Sequence, residues 1–278
     1  MDPAALLEER VAPWSAFVVL PLFAVANAGI TFHTGILDPP GATAVFVGVA
    51  AARVVGKLAG ITLACLLVVR LGLGRLPDGA AAVDVRTFEP PDSRFAREAE
   101  QACAEQPAAV TGHCYRTWLF GLALAAVDAR DLDPELFYGG ALLHDYGITQ
   151  PTPDRDFTLA SADRMLVCAR TAGMADERSE VLADAICVHT TPGVTVGRDG
   201  GLGCYLQWGA MVDGAGLRLW DVDPANVGVI VGRHPRVDFK RQLVALMRAE
   251  AQAVPRGRFG LLVRCGVPWA VRLAPFEA

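Results

Sequence analysis

Lysine is nearly missing from this 278-residue chain, which has two, at positions 57 and 240. Acidic residues outnumber lysine plus arginine by 30 to 25, and no basic tail or stripe interrupts that balance, so a nucleic-acid partner is not expected. The seven cysteines (65, 103, 114, 168, 187, 204 and 265) are odd in number and never spaced C-x-x-C. Neither a disulfide framework nor a zinc knuckle follows from them; reduced thiols acting as small buried hydrophobes do. There is no period-two run of β-branched residues, no internal repeat and no phosphate-cradling glycine loop. The acidic start MDPAALLEER, with no small-residue cleavage site after the adjoining apolar run, gives no expectation of a cleaved leader.

What the chain does have is apolar residues, 53% of the total with a mean hydropathy of +0.34, and the excess lies before about Leu76. From Val11 to Ile36 the only ionisable side chain is His33, and WSAFVVLPLFAVANAGITF is about as long as a bilayer-spanning helix requires. A second apolar run covers 42–73, interrupted by Arg53 and Lys57. Residues 1–76 are therefore expected to form a two-helix transmembrane hairpin in contact with the membrane through 11–73. The connection HTGILDPPG has no Lys or Arg, whereas Arg10 precedes the first span and Arg70 and Arg75 come after the second. The positive-inside rule then places both ends of the hairpin, and the residues C-terminal to it, on the cytoplasmic side of the cytoplasmic membrane. Lys57 lies mid-segment, where an ammonium costs about 2.5 to 3.5 kcal/mol to insert, and such a residue normally faces a protein interior or an ion path.

The motifs LPLFA-x-ANAG and GK-x-x-GI within residues 9–80 resemble a late portion of the NhaA-type sodium/proton antiporters. The resemblance puts Lys57 on the family's intramembrane lysine. It does not supply the family's adjacent aspartate pair, and Arg53 is a further departure, a second cation one turn before Lys57. One expectation is therefore an incomplete antiporter fragment contributing to ion transport.

Beyond Leu76 the pattern changes. Residues 77–104 read as a polar, proline-containing linker running into a first helix, and everything after them as helical, giving an all-α class. Asp133-Pro134 and Asp223-Pro224 are N-cap and first-turn pairs. Helices are expected over 110–129, from 134 toward Gly147, over 158–172 with Gly173 as the stop, and over 177–190, 202–219 and 235–254.

In this part His113 lies near a helix start, His144 and Asp145 are consecutive just before Gly147, and Asp213 stands alone in WGAMVDGAGL, where an unpaired buried carboxylate is costly. Taken singly each has an ordinary explanation, a core histidine or a capping aspartate. Together, two imidazoles and two carboxylates without thiolate form a ligand set suited to a divalent ion such as Fe, Mn, Zn, Co or Ni, with Mg possible, rather than to a closed structural zinc site. Such an ion can lower the pKa of bound water toward 7. Arg116, one turn from His113, could hold an anionic group or pair with Asp145 or Asp213. Arg164 and Arg236 read as surface residues and His234, before a proline, as structural.

The order His113, then LFYGGALLHDYGIT, AICVHT, GAMVDGAGL and HPRVDFKRQLVALMRAEAQAVP resembles the HD superfamily, in the branch of cyanamide hydratase-like proteins, over about 105–266. That resemblance implies an HD-type domain over 105–278, with His113, His144, Asp145 and Asp213 as metal ligands and His189 lining the site as a substrate contact, a proton relay or a ligand to a second ion. Asp145 is a second candidate for proton transfer, and Thr149 and Arg116 for substrate contact. It implies a membrane-tethered hydrolase or hydratase acting on a small polar molecule, either a phosphoester or a nitrile-like compound. The remaining expectation is a catalytically silent metal-binding regulatory module, since fold and ligands do not guarantee chemistry.

Overall fold

The chain divides into two units at Leu76 and Pro77. A computed structural model describes residues 83–276 apart from 192 and 198, all within the second unit. The expected transmembrane hairpin, Lys57 and the start of the linker lie outside the described residues.

The described residues are all-helical, as expected, with ten α-helices and no strand among them. We number these α1 (Arg94–Ala104), α2 (Ala108–Val127), α3 (Pro134–Leu143), α4 (Phe157–Ala172), α5 (Asp176–Val188), α6 (Leu202–Ala215), α7 (Pro224–Arg233), α8 (Phe239–Ala253), α9 (Arg258–Arg264) and α10 (Val267–Leu273). No described helix is long and apolar enough to cross a membrane. The boundaries follow local chemistry. Ser93, Asp133, Asp156 and Asp223 each accept a backbone N–H at the start of α1, α3, α4 and α7, and Gly173 ends α4 in the left-handed region with φ 75°.

Helix α2 is the axis of the unit. It is buried almost all round, as expected for a helix whose residues are apolar on every face. Its closest neighbour is α6, and glycine makes that approach possible. A Cβ at Gly209 would collide with the Thr117 carbonyl oxygen, and one at Gly121 would strike the Phe137 ring and come within 2.8 Å of the Tyr205 carbonyl. The core around α2 is built from aromatic and branched residues of α1, α3, α4, α5 and α6. A second, smaller cluster joins Val244 and Met247 of α8 to Val271 of α10, with Phe259 and Val263 of α9 packed against it. The helix expected over 235–254 begins at Phe239 instead, because Pro235 through Asp238 turn the chain, with Asp238 at φ 57°. The helix expected to run to 219 stops at Ala215, with Gly216 left-handed at φ 74°.

Candidate metal centre

Three helices deliver histidines and an aspartate to one buried point, and a fourth places a second aspartate behind them. His113 comes from the second turn of α2, His144 caps the C-terminus of α3 with Asp145 beside it, His189 caps the C-terminus of α5, and Asp213 lies in the last turn of α6. All five are buried, His144 and Asp213 completely. The chain bends sharply after Asp145 because Gly147 sits against α4: its N–H donates to the Ser161 hydroxyl at 2.9 Å, and a Cβ there would run into the Phe157 carbonyl.

The proton positions on the imidazoles follow from their partners. Nδ1 of His144 is 2.9 Å from the Ala141 carbonyl and Nδ1 of His189 is 2.6 Å from that of Ile186. A carbonyl only accepts, so both rings carry their proton on Nδ1 and present a lone pair on Nε2. His113 directs Nδ1 at Asp213 Oδ2, 2.6 Å away, and is fixed the same way. The three Nε2 atoms converge on Asp145: those of His113 and His144 are each 3.5 Å from Oδ2, and that of His189 is 3.6 Å from Oδ1. One ligand atom from each of His113, His144 and Asp145 falls within 4.8 Å of the others. Burial drives the His144 pKa down to about 4 against the pull of Asp145, so its ring is neutral at pH 7.

Asp213 is placed differently from the expectation. It is not in the converging group; it stands behind His113, saturated by other donors. Arg116 donates Nε to Oδ1 at 2.7 Å and Nη2 to Oδ2 at 3.0 Å, and Arg236 donates Nη1 both to the carboxylate and, at 2.6 Å, to the Asp213 carbonyl. The Oδ2 of Asp213 accepts from Nδ1 of His113 and so fixes the orientation of that ring. Of the two roles open to Arg116, pairing with Asp213 is the one realised. Its guanidinium is completely buried, and its Nη1 donates to the carbonyls of His234 and Pro235 at 2.9 and 3.2 Å. Thr149 is likewise turned inward, its hydroxyl donating to the Tyr146 carbonyl at 2.9 Å to close a short 3-10 turn. His234 stacks on Tyr115 with ring centroids 4.7 Å apart, and Arg164 pairs with Glu105.

Arg236, expected on the surface, is 5% exposed. With it comes Phe239, which sequence reasoning passed over: its ring stacks on His113 at 4.9 Å and lies under both guanidinium groups, 4.9 Å from that of Arg116 and 4.8 Å from that of Arg236. The available signal was the conjunction of arginine, aspartate and phenylalanine in HPRVDF, immediately before a helix.

A cavity of about 340 Å³ opens from the cluster, touching His113, Asp145 and His189 and otherwise walled mainly by α6, α8, α9 and α10.

Comparison with known proteins separates the two parts of the chain. Residues 1–88 match the family described as Na+/H+ antiporter 1. They carry NhaA-type antiporter sequence. Among curated relatives, the NhaA antiporter of Rhodopirellula baltica is 44% identical over 79 residues, which is 28% of this chain and 17% of the relative. That of Serratia proteamaculans is 46% identical over 79 residues, 28% of this chain and 20% of the relative, and NhaA 2 of Sorangium cellulosum is 42% identical over the same length, at 28% and 17%. The chain thus spans about a fifth of the length of these NhaA relatives. The expectation of an HD-type hydrolase or hydratase is corrected by these findings: the matching family and the curated relatives are antiporters, and the transport alternative fits them where the enzymatic reading does not.

Proposed function

We propose that this chain joins a partial NhaA-type antiporter segment to a helical metal-binding module that performs no turnover of its own. The observation that carries the first half is the 42–46% identity over 79 residues to sodium/proton antiporters. The match covers about a fifth of such a transporter, so the segment contributes to sodium/proton exchange only together with the remaining antiporter helices. Lys57 is the intramembrane cation of that assembly. The segment sits in the cytoplasmic membrane with both ends of its hairpin, and the helical module, on the cytoplasmic side.

The module holds a divalent transition metal through Nε2 of His113 and His144 and the Asp145 carboxylate, with His189 adjacent to complete the set and Asp213 orienting His113. Two features support the fit. Nε2 of His144 is buried with no hydrogen-bond partner, which is costly unless a cation takes the lone pair. The 3.5 Å separations around Asp145 match the roughly 3.4 Å expected between neighbouring ligands placed tetrahedrally about 2.1 Å from one ion. A nitrogen-rich set of this kind suits Zn, Fe, Co, Ni or Mn better than Mg, which prefers oxygen.

Both halves are tested by reconstituting the full chain in proteoliposomes and recording sodium-driven pH change with and without the missing antiporter helices. Exchange is expected only with the added helices, and Lys57→Ala is expected to reduce it at least tenfold. Exchange by the chain alone, or none in either preparation, overturns the transport half. Metal analysis of the same protein is expected to find stoichiometric transition metal in the wild type and none in His144→Ala; equal metal in both overturns the other half.

A further inference from the structure

The cavity beside the cluster is chemically lopsided. At its inner end stand His113, Asp145 and His189, with Thr190 and Gln207 next to them; the rest of its wall is apolar, including Trp208, Met211, Leu243, Met247, Phe259 and Val271. None of the lining residues other than Asp145 and the two histidines is ionisable. The Thr190 hydroxyl is buried and has no hydrogen-bond partner among the described residues. Gln207 is held rigidly alongside, its amide nitrogen donating to the carbonyls of His189 and Thr191 at 2.7 and 2.8 Å.

From this arrangement we propose that the site binds a small monoanion with an apolar body, its head on the metal and the Thr190 hydroxyl and its body in the cavity. The inference rests on the metal reading above and specifies what that module senses. The charge of the head comes from balance. Imidazoles ligate as neutral groups, so a divalent ion facing the single carboxylate of Asp145 keeps one positive charge. Behind it, Asp213 between Arg116 and Arg236 adds another uncompensated positive charge rather than a negative one. The nature of the body comes from size and lining. At roughly 30 Å³ per non-hydrogen atom, the share a molecule takes in liquid water, a cavity of about 340 Å³ holds on the order of ten such atoms. The lining supplies no partner for a polar group at the far end, so a second charge or a sugar there would be buried unsatisfied. A medium-chain or aryl-alkyl carboxylate meets every condition, and a nucleotide meets none beyond the anionic head.

The test uses the full chain in lipid nanodiscs, loaded with Co(II) so that the visible spectrum reports the first coordination shell. Acetate, butanoate, hexanoate and octanoate are then titrated in. The expected result is a spectral change common to all four acids, at concentrations that fall about threefold to fourfold for each added methylene. Ala210→Phe, which fills the cavity, is expected to abolish the gain with chain length while leaving the cobalt spectrum and acetate binding intact. Met247→Phe makes the same test from α8 if the first variant fails to fold. Thr190→Val is expected to weaken all four acids by a similar factor. A cobalt spectrum that no acid perturbs, or one perturbed equally at all chain lengths, overturns this proposal alone. Absence of the cobalt spectrum sinks the metal reading first, and this one with it.

Discussion

Asp145 and Asp213 are two buried carboxylates a few ångströms either side of His113, and they are stabilised by opposite means. Asp213 is met by hydrogen-bond donors: two guanidinium groups and the Nδ1–H of His113. Asp145 is met by three Nε2 lone pairs, none of which donates, at 3.5 to 3.6 Å. One carboxylate is complete within the protein, and the other sits among groups that share a need for a cation. The contrast distinguishes the two aspartates more sharply than burial does, since both are buried. It also shows why the charge on Asp213 stays: the donors around it overcome a desolvation cost that would otherwise neutralise the group.

The comparison can be broken first at Asp213. Asp213→Ala leaves Arg116 and Arg236 buried without a counter-ion and is expected to cost about 3 to 5 kcal/mol of unfolding free energy, measured by urea titration. A loss under about 1 kcal/mol, the range of an exposed pair, would mean that Asp213 is not a structural anchor. Asp145 should behave in reverse. With free metal at a hundred times its dissociation constant the wild type is expected to gain about 2.7 kcal/mol, and Asp145→Ala to gain nothing, the two proteins being compared by thermal unfolding with and without chelator. The smallest effect is expected away from the cluster, where Arg218 donates to both oxygens of Asp128 at 2.9 Å on the surface. The hydrogen bond from Arg218, opposed by partial burial, lowers the Asp128 pKa below its ordinary value of 3.8. A carboxyl lowered on folding contributes stability above its unfolded pKa and loses it as the pH falls through the folded one. Arg218→Ala is therefore expected to cost no more than about 1 kcal/mol at pH 7, with the difference in urea midpoint from wild type shrinking below the ordinary aspartate range.

Several parts of the fold are legible residue by residue. Asp133-Pro134 and Asp223-Pro224 announce helix starts, and Gly173 a helix end, because capping and left-handed backbone are local properties. The short helices α9 and α10 are not legible in that way. They are separated by Gly266 and held by contacts with α8, so their existence depends on a surface formed elsewhere in the chain. His113, His144, Asp145 and Asp213 stand out together in the sequence because their residue types are unusual in apolar helices, and nothing in the sequence tells Asp213 from the other three. The enzymatic function read from them failed for a different reason: a ligand set constrains the ion far more than the reaction.

The sequence by itself determined the antiporter kinship of the N-terminal part, read from motifs within residues 9–80, and the all-helical class of the described residues, since these depend on composition and short-range spacing. Only the tertiary structure decided which aspartate faces the three imidazoles, that Arg116 and Arg236 both pair with Asp213, and that an apolar cavity adjoins the cluster. Those outcomes join residues from separate helices, about a hundred positions apart for Asp213 with His113 and Arg116, and the orientation of a side chain across such a distance is settled by how helices pack.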